Sequence, residues 1–237
     1  RNVRLLTNTS GYKMAPNFSW SGKKVIFTQG EMRAPGSKSI AAGLDAYEID
    51  LESGNIQQLT DFRFFQMGRP SYLPGDEQFV VFADGPSKIP GVARGDNPAY
   101  WRNAEKKYNN SQVYVFNARS GSQELEPLFS QLFNAGDPVV DAKGNLYFMA
   151  SDGRTLRHYQ SMTAGALRNY LFLSSSSQFR GLTLQPRYSE VAPDGSHLAV
   201  VTGSRNRSDY SGIFLLDFAT DRWEEIHVPV EARLINP

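Results

Sequence analysis

The sequence is notable first for what it lacks. It has no cysteine, so disulfides, thiolate zinc sites and a cysteine nucleophile are excluded. It has little charge of either sign in excess: 25 basic residues stand against 24 acidic ones, a net charge of +1. A broad nucleic-acid footprint normally needs a clear basic excess or a basic stripe, so no nucleic-acid partner is expected. No apolar run approaches the roughly 18 residues of a membrane span, so no insertion into a bilayer is expected. Histidine is scarce, with only His158, His197 and His227 in 237 residues. They fall in a connector and in two different strands, without metal-ligand spacing, and read as solvated or core side chains. Gly-x-Ser-x-Gly, the nucleophile elbow, does not occur, nor does a Gly-x-x-x-x-Gly-Lys-Ser/Thr phosphate loop. The expectation is therefore no catalytic residue, no metal site and no cofactor. Long helical periodicity is missing too; the best helical candidates are Trp101 to Lys107 and Gln160 to Leu167, both in connectors.

What is present is a repeat. Ala-Pro-Asn-Phe-Ser-Trp-Ser-Gly-Lys-Lys-Val-Ile-Phe (15–27) has counterparts at 69–82, 137–148 and 188–200. Each reads as a short strand, a tight turn and a second apolar strand. Gly22, Gly75, Gly144 and Gly195 occupy the turns, where positive φ is demanded. Pro16, Pro70 and Pro138 read as preceding the first strand, where a missing N–H is tolerated; the fourth repeat has Ser189 there. A second strand-turn-strand half follows each time: Tyr47 to Gly54 then Ile56 to Thr60, Val113 to Gly121 then Leu125 to Phe129, Tyr170 to Leu173 then Gly181 to Thr183, and Ile213 to Asp217 then Trp223 to Val228. Each unit thus offers four antiparallel strands, a to d, the content of one β-propeller blade. The expected class is all-β: one propeller domain over 1–237, with blades at about 13–60, 68–129, 137–183 and 188–228.

The stretch Asp45-Ala-Tyr-Glu-Ile-Asp50, with Gln58-Leu59-Thr60 after it, resembles the TolB-type, WD-repeat-like propeller repeat. The resemblance runs over about residues 5–228. It implies a protein-interaction scaffold of the bacterial cell envelope, in the periplasm, with a protein partner. Peptidoglycan association would come only through other domains. Two alternatives stand beside it: an accessory propeller of a prolyl-oligopeptidase-type hydrolase, and a carbohydrate-binding or carbohydrate-active propeller. The last needs converging carboxylates, and first strands poor in Asp and Glu (Asp137 and Glu190 are the clearest) argue against it. Val3 to Thr7 matches the end of an outer strand, like Gln57 to Thr60, so the four blades are expected to belong to a larger ring or multidomain chain.

Antiparallel order puts the a–b and c–d turns at one end of every blade and the b–c connections at the other. The b–c connections are long, about 30–45, 84–111, 150–168 and 203–211, and loops on a rigid scaffold concentrate binding residues. Aromatic and arginine side chains supply much of the energy at interfaces. The expected partner-binding residues are therefore Arg94, Tyr100, Trp101, Arg102, Lys106, Tyr108, Arg205, Arg207 and Tyr210; packing on their own blade is the alternative role for the aromatic ones. Turn aspartates (Asp76, Asp141, Asp152, Asp194, Asp221) invite a calcium reading, but no segment repeats the alternating ligands of a calcium loop. Arg94-Gly95-Asp96 and the sequons at Asn8, Asn17, Asn109 and Asn206 are short enough to arise by chance.

Overall fold

A computed structural model describes residues 4–32, 41–86, 111–119, 124–128, 134–151, 157–163, 166–170, 178–204, 206–220 and 222–226. Sixteen strands and no helix occur among them, as expected of an all-β chain. The strand pairings among the described residues are antiparallel. The chain divides into two compact units, Arg1–Pro138 and Val139–Pro237.

In the first unit, β1 (Tyr12–Phe18), β2 (Lys24–Met32), β3 (Ala41–Asp50) and β4 (Ile56–Gln58) pair in chain order. The next set is β5 (Phe64–Tyr72), β6 (Gln78–Pro86) and β7 (Gln112–Asn117). A single pair, Leu44 with Phe64, joins the sets into one seven-stranded sheet. Where a fourth strand was expected outside β7, the described residues show an isolated bridge, Tyr114 with Pro127. Consecutive residues are buried along the second strand of each set: Val25, Ile26 and Phe27 in β2, Phe79, Val80 and Val81 in β6. A strand buried at successive positions is covered on both faces, unlike a strand with one wet side. The core around Ile26, Leu44, Ala46, Phe62, Phe64, Phe79 and Phe116 fills the space between the two sets.

Two expectations about the first strands are corrected. Pro16 and Pro70 lie inside β1 and β5 rather than ahead of them; so does Pro138 in β8 (Asn134–Val140). The register explains why proline is tolerated. Met14 faces Thr28 but Asn17 faces Ile26, so three steps on β1 match two on β2. Gly68 faces Phe82 and Ser71 faces Val80 in the same way. Each is a β-bulge, whose extra residue needs no ladder N–H. The residue before each proline is left-handed: Ala15 (φ 51°), Arg69 (φ 51°) and Asp137 (φ 48°). In the last sheet the bulge falls between Pro186 and Tyr188, so proline recurs at a bulge where the sequence comparison had set Ser189 opposite Pro16.

The remaining strands form two sheets, which lie in the second unit apart from residues 134–138 of β8. β8 starts the first, followed by β9 (Leu146–Ser151), β10 (Arg157–Thr163) and β11 (Ala166–Tyr170). The other contains β12 (Gln178–Phe179), β13 (Leu182–Val191), β14 (His197–Ser204), β15 (Ser211–Asp217) and β16 (Arg222–Ile226). The helical reading of Gln160 to Leu167 is overturned: these residues enter a hairpin in which Met162 pairs with Leu167 and Thr163 with Ala166. The long b–c connection at 150–168 is overturned with it, because β10 pairs directly with β9. His158, assigned above to a connector, lies in β10. Leu182 and Thr183, assigned above to an outer strand of the third unit, open β13 and pair with β12. The other helical candidate, Trp101 to Lys107, lies outside the described residues. Val139, Tyr147, Leu184, Leu198, Val200, Phe214 and Leu216 form the core of this unit.

The turn aspartates are structural hydrogen-bond acceptors. Asp76 accepts from Trp20 N (2.7 Å) and Ser21 N (3.0 Å), while Trp20 Nε1 donates to Tyr72 O (2.9 Å). One a–b turn of the first unit is thereby clasped to the next. Asp141 is fully buried and accepts from Lys143 N, Asn145 N and Asn145 Nδ2 at 2.9, 2.9 and 2.7 Å. Asp194 accepts from Ser196 N and Oγ. Asp152 and Asp221 lie outside the described residues.

Two substitutions test these turns. Asp76→Ala removes both acceptors and places alanine at φ 59°, so unfolding free energy should fall by about 1–2 kcal/mol in a urea titration. Asp76→Asn keeps one acceptor and a residue that tolerates αL, and should lose less. Gly195 has φ 71°, and a Cβ there would run into Asp141 Oδ2. Gly195→Ala should therefore cost about 2 kcal/mol or more, read as a lowered unfolding midpoint.

Candidate functional site: a charged cleft at the b–c end of the first unit

The stretch that carries the family resemblance proves to be a buried polar knot. Leu59 N donates to Ala46 O (2.8 Å), and the Leu59 side chain enters the core. Thr60 Oγ1 accepts from Ala46 N (2.9 Å) and donates to Asp45 Oδ1 (2.8 Å). Asp45 Oδ1 also accepts from Phe62 N (2.8 Å), and Asp45 Oδ2 accepts from Arg63 N (3.2 Å). Asp45, on β3, thus fastens the connection that leads from the first strand set to the second. It is 2% exposed. Burial pushes its carboxyl up to about 6, against the opposing pull of the Phe62, Thr60 and Arg63 hydrogen bonds.

Beside this knot lies a cleft of ≈ 550 Å³. Gln29 and Glu31, at the far end of β2, form one wall. Asp45 and Tyr47 on β3 form the second, and Asp61 and Arg63 on the connection form the third. The register of β2 slips between Gln29 and Glu31, which re-aims the wall. Arg63 has φ 52° and lays its guanidinium against Gly43, where a Cβ would stand 3.2 Å from Nε. Its Nη2 donates to Glu31 Oε1 at 2.9 Å, an ion pair with both partners well exposed. Burial, then the neighbouring Asp45 carboxylate, raises the Tyr47 phenol above its ordinary range. Gln29 Oε1 is buried and has no hydrogen-bond partner. Met32 and Phe65, 61% and 55% exposed, stand at the same end of the sheet. This end is the one where the b–c connection leaves β2.

Of the partner-binding residues expected from sequence, Arg94, Tyr100, Trp101, Arg102, Lys106, Tyr108 and Arg205 lie outside the described residues. Arg207 and Tyr210 share the connection between β14 and β15 in the second unit. Arg207 is exposed and donates twice to Asp209, at 3.1 and 3.0 Å. Tyr210 is half-buried and donates to Glu225 Oε1 at 3.0 Å. Burial, then this hydrogen bond, pushes its phenol up to about 12. The cleft residues Gln29, Glu31 and Arg63 escaped sequence reasoning, because nothing in the pattern of any one segment sets them apart. Asp45 and Thr60 were visible, but as carriers of the fold.

The turn between β13 and β14 carries a second polar group. His197 Nδ1 lies 2.7 Å from Ser196 Oγ, and its Nε2 lies 3.9 Å from Asp217 Oδ2. Ser196 Oγ also donates to Asp194 Oδ1 at 2.6 Å, so this serine is held in its turn. Among the described residues no group of three or more His, Cys, Asp or Glu side chains is arranged to hold a metal ion. Nor is any helix there long and apolar enough to cross a membrane.

No protein-family model matches the sequence, and no curated protein matches it. Solved structures do. TolB from Acinetobacter baumannii matches at a TM-score of 0.60 with 16% identity, over 90% of this chain and 43% of that one. A puromycin-hydrolyzing peptidase of Mycobacterium tuberculosis matches at 0.57 with 14% identity, over 98% of this chain and 32% of that one. An oligogalacturonate lyase, solved in complex with manganese, matches at 0.52 with 13% identity, over 93% of this chain and 54% of that one. The chain has the fold of a TolB-like β-propeller, and it spans less than half the length of that TolB structure.

Proposed function

We propose that the chain is a non-enzymatic, protein-binding part of a propeller, acting as a scaffold in the bacterial periplasm or cell envelope. Its partner sits on the end that carries the b–c connections. The observation that supports this most is the cleft flanked by exposed Met32 and Phe65 at that end. A concave charged site with apolar side chains beside it matches the anatomy of a protein interface, in which a few anchors are ringed by polar groups. In the first unit the proposed binding residues also include Arg94, Tyr100, Trp101, Arg102, Lys106 and Tyr108 of the connection at 84–111; in the second unit, taken by itself, Arg205, Arg207 and Tyr210 of the connection at 203–211 are proposed as binding residues.

The test is affinity capture from an extract of the source cells, with two variants alongside the unaltered chain. Met32→Ser/Phe65→Ser alters the b–c end, and Phe18→Ser/Ile56→Ser alters exposed residues elsewhere on the first sheet. A specific partner should be lost with the first variant and kept with the second. Equal recovery by both would count against the b–c end. Once a partner is in hand, replacing Tyr100, Trp101 and Arg102 together with alanine should weaken its binding, measured by calorimetry.

A second reading is favoured by the likeness to the mycobacterial peptidase, which covers almost all of this chain. In that reading the propeller is an accessory to a hydrolase domain and orients substrate. A hydrolase domain in the full-length reading frame would support it.

A further inference from the structure

We draw no further inference here: the strongest candidate, the face of the last sheet opposite its core, where Tyr188, Val201, Ile213 and Ile226 form one apolar row across β13 to β16, carries none because nothing in the structure shows what covers it.

Discussion

Tyr72→Phe is expected to lower the unfolding free energy of the first unit by about 1.5–3 kcal/mol, the worth of a hydrogen bond to a charged group. Tyr72 is 1% exposed at the end of β5, and its hydroxyl donates to Glu48 Oε2. Glu48 is itself buried on β3, and its other oxygen accepts from Lys24 Nζ at 2.8 Å. Burial and then the Glu48 hydrogen bond drive the Tyr72 phenol far above its ordinary range, so it is a neutral donor at any working pH. Removing the hydroxyl leaves a buried carboxylate with one partner fewer; Lys24 still pairs with it but is partly exposed. For a chain of this length the loss corresponds to a fall of about 3–12 °C in the unfolding midpoint. Glu48→Gln provides the contrast. Glutamine still accepts from Tyr72 and removes a buried charge, so it should cost under about 1 kcal/mol. A Tyr72→Phe variant as stable as the unaltered protein would show that this hydrogen bond does not bind the first strand set to the second.

Asp45→Asn is expected to be neutral to stability in acid and stabilising above pH 6. The folded-state pKa of Asp45 is about 6, above its ordinary value of 3.8, so folding favours the protonated carboxyl. The stability that this group contributes is fully present below about pH 4 and is lost as pH rises through about 6. The full shift is worth about 3 kcal/mol, taking 1.36 kcal/mol per unit. Asparagine matches the protonated side chain in shape and keeps an acceptor for Thr60 Oγ1 and Phe62 N. It carries no charge to be desolvated. The variant should therefore match the unaltered protein near pH 4 and exceed it by about 2–3 kcal/mol at pH 8. Chemical denaturation at both pH values reads the effect. The difference between the two proteins isolates Asp45 from Asp50, Asp194, Asp209 and Asp217, whose pKa values are lowered by hydrogen bonds. A difference that does not change between pH 4 and pH 8 would refute the raised pKa.

What the sequence determined by itself is the all-β class and the repeated strand-turn-strand unit. Both depend on short-range signals: glycine where a turn requires positive φ, as at Gly22, Gly75 and Gly195, and apolar runs such as Phe79 to Val81 between them. The Leu-Thr signature was legible for the same reason, because Thr60 and Asp45 close a local knot. Tertiary structure decided the rest. Pro16 and Pro70 sit within strands because a bulge, a property of pairing with β2 and β6, frees their ladder positions. Residues 157–163 became a strand because β9 lay alongside to pair with them, while their own mixed polarity favoured no period. Gln29, Glu31, Asp45 and Arg63 are separated by up to 34 positions in the chain. They meet in one cleft only through the β2–β3 register and the turn that Asp45 fastens. Burial and juxtaposition, which set both the raised Asp45 pKa and the acceptor-rich wall, are properties of that pairing and not of any single segment.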